Sequence, residues 1–470
     1  MRVVQTFWSG GKDPLIDSFG WLSPQHHFMS WALSCLTLRQ NYDEVFLYTD
    51  SVGYAIFAEQ LSLPYSEIII QYDNLDCHPT HWAYSKLLTY SLQDQPFVHV
   101  DGDVYLPKRL KPAIESAELI AQNWEIGTAE CYGDMMKNIK ERTSTVLPHF
   151  LNNAITMNSI PSYNAGVIGG NDLEFIKEYC NQAFQFIERN SLRNPNPKET
   201  GVNHNILFEQ VLFAALVKER GKRVTTVLDH SIEDNKYSYA EFCDFYRFEN
   251  TDLMHIIGGH KKNHRVCELL ERILLNKYPE YYSKIIDLFK DSHKRIGKKY
   301  VSDNSYHDYH TFLEDLSFQW EKIDNEELLN LEKMSTHYFK FIQEKERKKL
   351  RYKLKSHPYL EIYEDSKAWP KETKELIRSK INSEFKSDRF DIACIPTLLN
   401  KGYKEVLIDD LSYNILVMLE TELTFNSLLD KLDLYIDNAN DKPTDWAVDR
   451  AVEYLLYHKL IYVTGESSNY

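Results

Sequence analysis

Short apolar runs of β-type residues alternate with helical stretches over the first 290 residues, which restricts that part of the chain to an α/β architecture. Val3 to Trp8 predicts a first strand. Ser23-Pro24, a capping residue followed by proline in the first turn, predicts a helix through Arg39. Further strands are expected at Glu44 to Thr49, Glu67 to Ile70, Phe97 to Val100, Leu119 to Ala121, Tyr163 to Ile168, Val224 to Leu228 and Leu253 to Ile257. Helices are expected between them at Val52 to Leu61, Trp82 to Leu92, Leu173 to Arg189 and Leu207 to Glu219. From 291 to 390 charges of both signs dominate, as in Gln343 to Lys349, and the segment reads as a helical spacer with solvated faces. Residues 391–470 form a third unit: a strand at Lys404 to Asp409, helices at Leu411 to Glu420, Thr424 to Leu432 and Trp446 to His458, and a closing strand at Leu460 to Val463. That order suits a small winged-helix-like module. The expected domains are therefore 1–290, 291–390 and 391–470, in keeping with a length of 470 residues.

A net charge of -15 argues against a non-specific hold on nucleic acid or an anionic membrane. The seven cysteines are odd in number and scattered, with none in a Cys-x-x-Cys pair, so neither a zinc site nor a disulfide framework is indicated. The first residues read as a core strand and not as a signal peptide, and no apolar run reaches membrane-spanning length. A cytoplasmic protein without a membrane span is expected. The 31 tyrosines and 23 phenylalanines suit stacking on bases or sugars, and equally an aromatic-rich core.

The chemistry concentrates where the fourth strand ends, in Val98-His99-Val100-Asp101-Gly102-Asp103-Val104-Tyr105. Period-two geometry points Asp101 and Asp103 to one side, and Gly102 lets a ligand approach the backbone. Two hard oxygen donors so placed suit a divalent cation that also holds phosphate oxygens, although a solvated turn has the same pattern. On an acidic chain, an anionic donor such as a nucleotide sugar needs a local cation of that kind. A second cluster lies far along, in Met254-His255-Ile256-Ile257-Gly258-Gly259-His260-Lys261-Lys262. Here His255 is a candidate third ligand with His260 as its rival, Gly258 and Gly259 permit close approach of N–H groups to phosphate, and Lys261 offers a point charge. A loop histidine with a purely structural hydrogen bond is the competing reading.

The Asp-x-Asp strand end followed by His-x-x-Gly-x-x-Lys resembles the glycogenin-type (family 8) glycosyltransferases of the GT-A fold. The resemblance implies that Asp101, Asp103 and His255 bind Mn²⁺ (or Mg²⁺), and that Gly258 and Lys261 meet the donor diphosphate. The family usually continues Lys-Pro-Trp, whereas this chain has Lys261-Lys262-Asn263. Three more segments match in order. Ala83-Tyr84-Ser85-Lys86-Leu87 resembles the segment whose basic residue contacts the donor, which makes Lys86 that residue. Tyr163-Asn164-Ala165-Gly166-Val167-Ile168 resembles the strand that floors the sugar site, implying roles for Asn164, Ala165 and Gly166. Phe208-Glu209-Gln210 resembles an Asp-Gln pair near the reacting carbon, so Glu209 and Gln210 are the catalytic candidates, with Glu adding a methylene. Phe7 and Gly102 complete the donor-binding set, and Glu130 is a candidate general base. Read as a core helix, an ordinary strand and a solvated helix end, these three segments carry no chemistry.

The C-terminal patterning, from Ile395-Pro396 to Val452-Glu453-Tyr454-Leu455-Leu456, resembles PqqD-type domains, which hold precursor peptides by adding a strand to a sheet edge. The combined expectation is a metal-dependent, retaining glycosyltransferase that takes a nucleotide-sugar donor, a UDP-sugar foremost, and a peptide acceptor. Two alternatives remain. One is a non-catalytic nucleotide-sugar or peptide-binding protein on the same fold. The other is an ATP pyrophosphatase, because Ser9-Gly10-Gly11-Lys12-Asp13-Pro14 resembles the pyrophosphate loop of those enzymes, with Pro14 in place of the last hydroxyl.

Overall fold

The computed structural model describes residues 1–128, 132, 135, 137–138, 141, 146–155, 159–194, 203–289, 307–364, 366, 369–382, 384–387, 389–399, 402–435 and 444–466, and the chain divides into two units, Met1–Leu274 and Leu275–Tyr470.

The first unit contains strands β1 (Arg2–Thr6), β2 (Val45–Thr49), β3 (Glu67–Ile70), β4 (Phe97–Val100), β5 (Val104–Tyr105), β6 (Leu119–Ala121), β7 (Trp124–Thr128), β8 (Ser159–Tyr163), β9 (Val167–Gly170), β10 (Val224–Thr226), β11 (Ser231–Glu233) and β12 (Met254–His255). Seven of them form one sheet in the order β10-β6-β9-β4-β1-β2-β3. All neighbours in it are parallel except β9, which runs against both β4 and β6. Consecutive valines show why the sheet is covered on both faces. Val3 packs with Leu38 and Val98 on one side, while Val4 packs with Leu87, Tyr90 and Phe97 on the other. Helix Pro24–Asn41, capped by Ser23 on the His26 N–H, covers the first face, and helix Ala83–Ser91 covers the second. Two smaller sheets, β11-β7-β8 and β12-β5, extend from the same edge.

Three expected elements differ in detail. Tyr163 to Ile168 is not one strand: Asn164 turns its Oδ1 onto the Gly166 N–H at 2.9 Å, and this local bond ends β8 and lets β9 start in the main sheet. Leu207 to Glu219 opens as a π-helical stretch, Leu207–Val211, before the α-helix Leu212–Glu219. Val52 to Leu61 is likewise a short α turn, Ser51–Tyr54, running into a π-helical stretch, Ala55–Gln60.

The second unit holds β13 (Tyr352–Ser356), β14 (Glu361–Tyr363), β15 (Asp391–Thr397), β16 (Gly402–Ile408), β17 (Leu423–Thr424) and β18 (Ile461–Glu466), in two antiparallel sheets, β17-β13-β18 and β14-β15-β16. This departs from an all-helical spacer at 291–390. Helices do occur there, at His307–Trp320, Asn325–Ser335 and Lys371–Ile381, yet β13 and β14 pair with strands from beyond residue 390. The reason is legible in Tyr352-Lys353-Leu354-Lys355-Ser356, where Tyr352, Leu354 and Ser356 are buried and the lysines between them are not. Alternation, not charge density, decides that segment. Between β16 and β18 the expected three helices are present, at Asp410–Met418, Phe425–Tyr435 and Asp445–Tyr457. Among the described residues no helix is long and apolar enough to cross a membrane.

Candidate active site

The carboxyl ends of β1 and β4 lie side by side where the strand order changes direction, which is where open α/β sheets bind ligands. From β4 the chain passes through Asp101-Gly102-Asp103 before β5 begins. The Asp101 N–H donates to the Gly166 carbonyl at 2.9 Å, which fixes the strand end to the Asn164–Gly166 turn. A Cβ on Gly102 would sit 2.3 Å from the Trp31 ring, so only glycine lets the two meet.

Helix Ala83–Ser91 delivers Lys86 to this point from the other side. Its buried Nζ lies 2.9 Å from Asp101 Oδ1 and 2.8 Å from Glu209 Oε1, and it donates to the Ala165 carbonyl at 3.3 Å. Burial opposes the charge on Lys86, but Asp101 and Glu209 outweigh it and hold the ammonium above its ordinary range. Glu209 is fully buried, and Tyr90 also donates to it, at 3.0 Å. Burial pushes its carboxyl up, with Lys86 pulling the other way.

β12 brings in His255. It pairs antiparallel with β5, setting His255 opposite Val104, and Ile256 N–H donates to the Asp103 carbonyl at 3.0 Å. His255 Nε2 then stands 3.5 Å from Asp103 Oδ1. The opposite ring nitrogen, Nδ1, lies 2.8 Å from Gln122 Oε1 at the end of β6. Gln122 is oriented in turn by donating through Nε2 to Asn123 Oδ1 at 3.0 Å, so its oxygen faces the ring and Nδ1 carries the proton. Nε2 thus faces a carboxylate oxygen, and the two are placed on one side of a point that a cation could occupy. Gly166 keeps the pair in place, because a Cβ there would lie 2.5 Å from Gln122 Oε1 and 2.8 Å from the His255 ring. Lys261 Nζ lies 2.5 Å from Asp103 Oδ2. Burial opposes ionisation of Asp103, but Lys261 and His255 outweigh it and hold the carboxyl well below the usual range. His260 turns elsewhere, to the Tyr237 carbonyl at 2.9 Å, and does not compete for the carboxylates.

These groups line a cavity of about 820 Å³. Of the residues singled out from sequence, Phe7, Lys86, Asp101, Gly102, Asp103, Asn164, Gly166, Gln210, His255, Gly258 and Lys261 form its wall. Ala165 and Glu209 do not line it and reach it only through Lys86. Glu130 lies outside the described residues. The Ser9–Lys12 loop also borders the cavity, with Gly10 and Gly11 at φ of +61° and +76° and Lys12 paired to Asp17 at 2.8 Å. Among the described residues no three His, Cys, Asp or Glu side chains form a preformed cage; Lys86 pairs with Asp101 and Lys261 with Asp103. The donor chemistry nevertheless fits a hard divalent ion: two carboxylates and an imidazole nitrogen whose proton is committed to the far side.

Sequence reasoning missed several wall residues. Glu125, on β7, is buried and accepts from Asn164 Nδ2 at 3.0 Å, from Ser162 Oγ at 3.2 Å and from the Tyr237 hydroxyl. Burial pushes the Tyr237 phenol up, so it stays a donor. Trp21, His27 and Trp31 supply an aromatic side. The amide pair Gln122-Asn123, directly after the apolar run Leu119-Ile120-Ala121, is the signal that points to this corner, because polar side chains at a strand's carboxyl end face the ligand edge.

Residues 1–288 match the model of a family described as a family of unknown function (DUF6734). No curated protein sequence matches the chain. Among solved structures, mouse xyloside xylosyltransferase 1 in its apo form aligns at 10% identity over 54% of this chain and 96% of that one, with a TM-score of 0.27. The glycosyltransferase GlyE of Streptococcus pneumoniae TIGR4 aligns at 13% identity over 71% and 77%, with a TM-score of 0.30. Superpositions this loose equate no individual residues, so the chemistry has to be read from the cavity.

Proposed function

This chain belongs to DUF6734, a family of unknown function, and we propose that it is a metal-dependent glycosyltransferase moving a sugar from a nucleoside-diphosphate donor, a UDP-sugar first, to an acceptor. The observation that carries this reading is the meeting of His255 with Asp103, residues far apart in the chain, at the carboxyl edge of the sheet. Asp101, Asp103 and His255 would hold Mn²⁺ or Mg²⁺. Bound there, such an ion supplies Lewis-acid stabilisation of the charge on a departing diphosphate.

The protein's own groups do the rest. Asp101, Asp103, Glu125 and Glu209 set against Lys86 and Lys261 leave two negative charges in excess, which a divalent ion neutralises. On a chain of net charge -15, that neutralisation lets the cavity take up a diphosphate, with Lys261 and backbone N–H groups facing it. Lys261 and the backbone at Gly258 bind phosphate oxygens from one side. Lys86, clamped by Glu209, supplies fixed positive charge from the other. Asn164, Gly166 and Gln210 border the sugar. Glu209 acts through Lys86 as a positioning residue. Residues 1–290 then form a GT-A-like domain and transfer retains configuration, both from the resemblance to glycogenin-type enzymes; the C-terminal segment, from its PqqD-type resemblance, presents a peptide acceptor, and the scattered, unpaired cysteines suit the cytoplasm.

The test is to incubate the purified full chain with Mn²⁺ and a panel of nucleotide sugars and to measure release of the nucleoside diphosphate. Slow donor hydrolysis is expected from at least one donor, falling by about a hundredfold or more in Asp103→Asn. Release that is unchanged in a folded Asp103→Asn variant overturns the metal site, and the absence of both turnover and diphosphate binding overturns the transferase reading.

A further inference from the structure

We propose that Trp82 is the acceptor platform of the cavity, and that the acceptor is a pyranoside whose ring lies with one face on the indole. This rests on the transferase reading above and deepens it.

Trp82 stands at the start of helix Ala83–Ser91 and is 44% exposed. Among the described residues it is the one large exposed hydrophobic side chain that lines the cavity. Its place is fixed by hydrogen bonds on both sides. The Ser85 hydroxyl donates to the Trp82 carbonyl at 2.8 Å. Buried Asn205 accepts from the Ala83 N–H at 3.0 Å and donates to the Thr80 carbonyl at 2.8 Å. The same Nδ2 donates to Asn203 Oδ1 at 2.9 Å, which ties Asn203 to the rim that carries the indole. Asn203, Ile206 and Gln210 recur at helical spacing into the stretch Leu207–Val211, and all three line the cavity.

One side of the indole is used within the protein, where Lys86 Nζ lies 5.3 Å from the ring centre. Covering Lys86 accounts for one face and leaves the other to a stacking ligand. Lys86 Nζ is also 2.9 Å from Asp101 Oδ1, so a single ammonium separates the indole from the carboxylate. The phosphate-binding groups gather around the other aspartate: Lys261 Nζ lies 2.5 Å from Asp103 Oδ2 and 6.0 Å from the centre of the Trp21 ring. Trp82 thus serves the side away from the diphosphate, where the second substrate enters.

A pyranose presents a C–H face to an aromatic ring and hydroxyls around its edge, which suit the carboxamides of Asn203 and Gln210. A bare peptide is held by a strand edge or an apolar groove, whereas the backbone around Trp82 belongs to turns and helices. A peptide acceptor therefore qualifies only when it already carries a sugar, which an earlier glycosyl transfer must supply. In the step served, the acceptor hydroxyl oxygen bonds to the anomeric carbon of the donor. The bond from that carbon to the diphosphate breaks with its electron pair on the diphosphate, and the hydroxyl proton passes to the departing oxygen.

The experiment incubates the full chain with Mn²⁺ and UDP- and GDP-linked hexoses, xylose and N-acetylhexosamines, and measures nucleoside diphosphate release. It does so without acceptor, with methyl pyranosides, with a serine peptide, and with that peptide bearing one sugar. Release should rise with a methyl pyranoside or with the glycopeptide and not with the bare peptide, giving a product one sugar heavier by mass spectrometry. Response to the glycopeptide alone assigns the ring to a peptide, and response to the methyl pyranoside shows that the ring suffices; both support the proposal. Trp82→Leu keeps an apolar cover over Lys86 without the flat face, and Trp82→Tyr keeps a flat ring. The leucine variant should raise the half-saturating acceptor concentration by about tenfold, with acceptor-free release within about twofold of wild type. The tyrosine variant should stay nearer wild type. A folded Trp82→Leu protein with unchanged acceptor half-saturation overturns the proposal, as does stimulation by the bare peptide or by no glycoside at all. Equal losses with and without acceptor show Trp82 acting only through Lys86 and also overturn it. Each of these leaves the donor reading standing, whereas a wild type that neither releases nor binds a nucleoside diphosphate removes both.

Discussion

Gln122 orients His255, and replacing it isolates that role. Gln122→Met keeps the side chain's length in a fully buried position but removes the carboxamide oxygen that His255 Nδ1 meets at 2.8 Å. It also removes the amide that donates to Asn123 at 3.0 Å. Without that acceptor, the ring is free to carry its proton on Nε2, the nitrogen that faces Asp103 across 3.5 Å and must stay bare to bind an ion. Loss of such an orienting partner costs about tenfold to a hundredfold in metal affinity, equivalent to roughly 1.4–2.7 kcal/mol. Gly166→Ala disturbs the same pair from the opposite side with the hydrogen-bonding chemistry intact, since its Cβ would lie 2.5 Å from Gln122 Oε1 and 2.8 Å from the His255 ring. Both variants should therefore weaken Mn²⁺ binding, read by paramagnetic resonance or calorimetric titration, while circular dichroism reports a folded protein. A folded Gln122→Met variant with wild-type Mn²⁺ affinity would refute the reasoning, because His255 would then not be a ligand whose tautomer matters.

Lys86→Met should lower stability by about 3–5 kcal/mol in urea unfolding, because it strips the counter-charge from Asp101 and the fully buried Glu209. Pairing it with Glu209→Leu should recover part of that loss. Gly102→Ala should cost about 1–3 kcal/mol and change Trp31 fluorescence, given the 2.3 Å approach of the added carbon to the ring. Burial lowers the ring pKa of His27, in the first unit, and of His357, in the second, from 6.5 to about 3. The unfolded chain takes up these protons first as pH falls. The stability each neutral ring contributes is therefore complete above pH 6.5 and disappears towards pH 3, at about 1.4 kcal/mol per pH unit. Urea unfolding at pH 7 and pH 5 should show a smaller acid loss in His27→Phe than in wild type, and equal losses would contradict the burial of a neutral ring.

Much of the site was legible because its chemistry lies at strand ends with clear local patterns. Asp101 and Asp103 follow a fully buried four-residue strand, and His255 lies within another apolar run, so their residue types and spacing mark them as candidates. What spacing cannot reveal is which lysine faces which carboxylate. Lys86 meets Asp101, and Lys261 meets Asp103, only because helix Ala83–Ser91 and the β12–β5 pairing approach from different sides. The resemblance puts Glu209 near the reacting carbon, whereas the π-helical stretch Leu207–Val211 turns Glu209 inward onto Lys86 and leaves Gln210 on the wall. Glu125 and Tyr237 carry no signature of their own, since a glutamate inside a strand and a tyrosine in a loop are ordinary until Asn164 brings them together. In the second unit, the dense lysines of Tyr352–Ser356 hid a strand whose alternation was present in the same five residues.

The three-residue link between β8 and β9 ties two sheets into one floor. Asn164, Ala165 and Gly166 leave the side sheet and enter the main one with no slack, and the bonds they make to Lys86, Asp101 and Glu125 radiate in three directions. A floor so joined cannot hinge or lengthen without disturbing Lys86, Asp101 and Glu125 at once. Adaptation to different substrates would then have to come from the opposite rim, where the Gly10-Gly11 turn and the Gly258-Gly259 turn border the same opening with free space beside Gly11, Gly258 and Gly259.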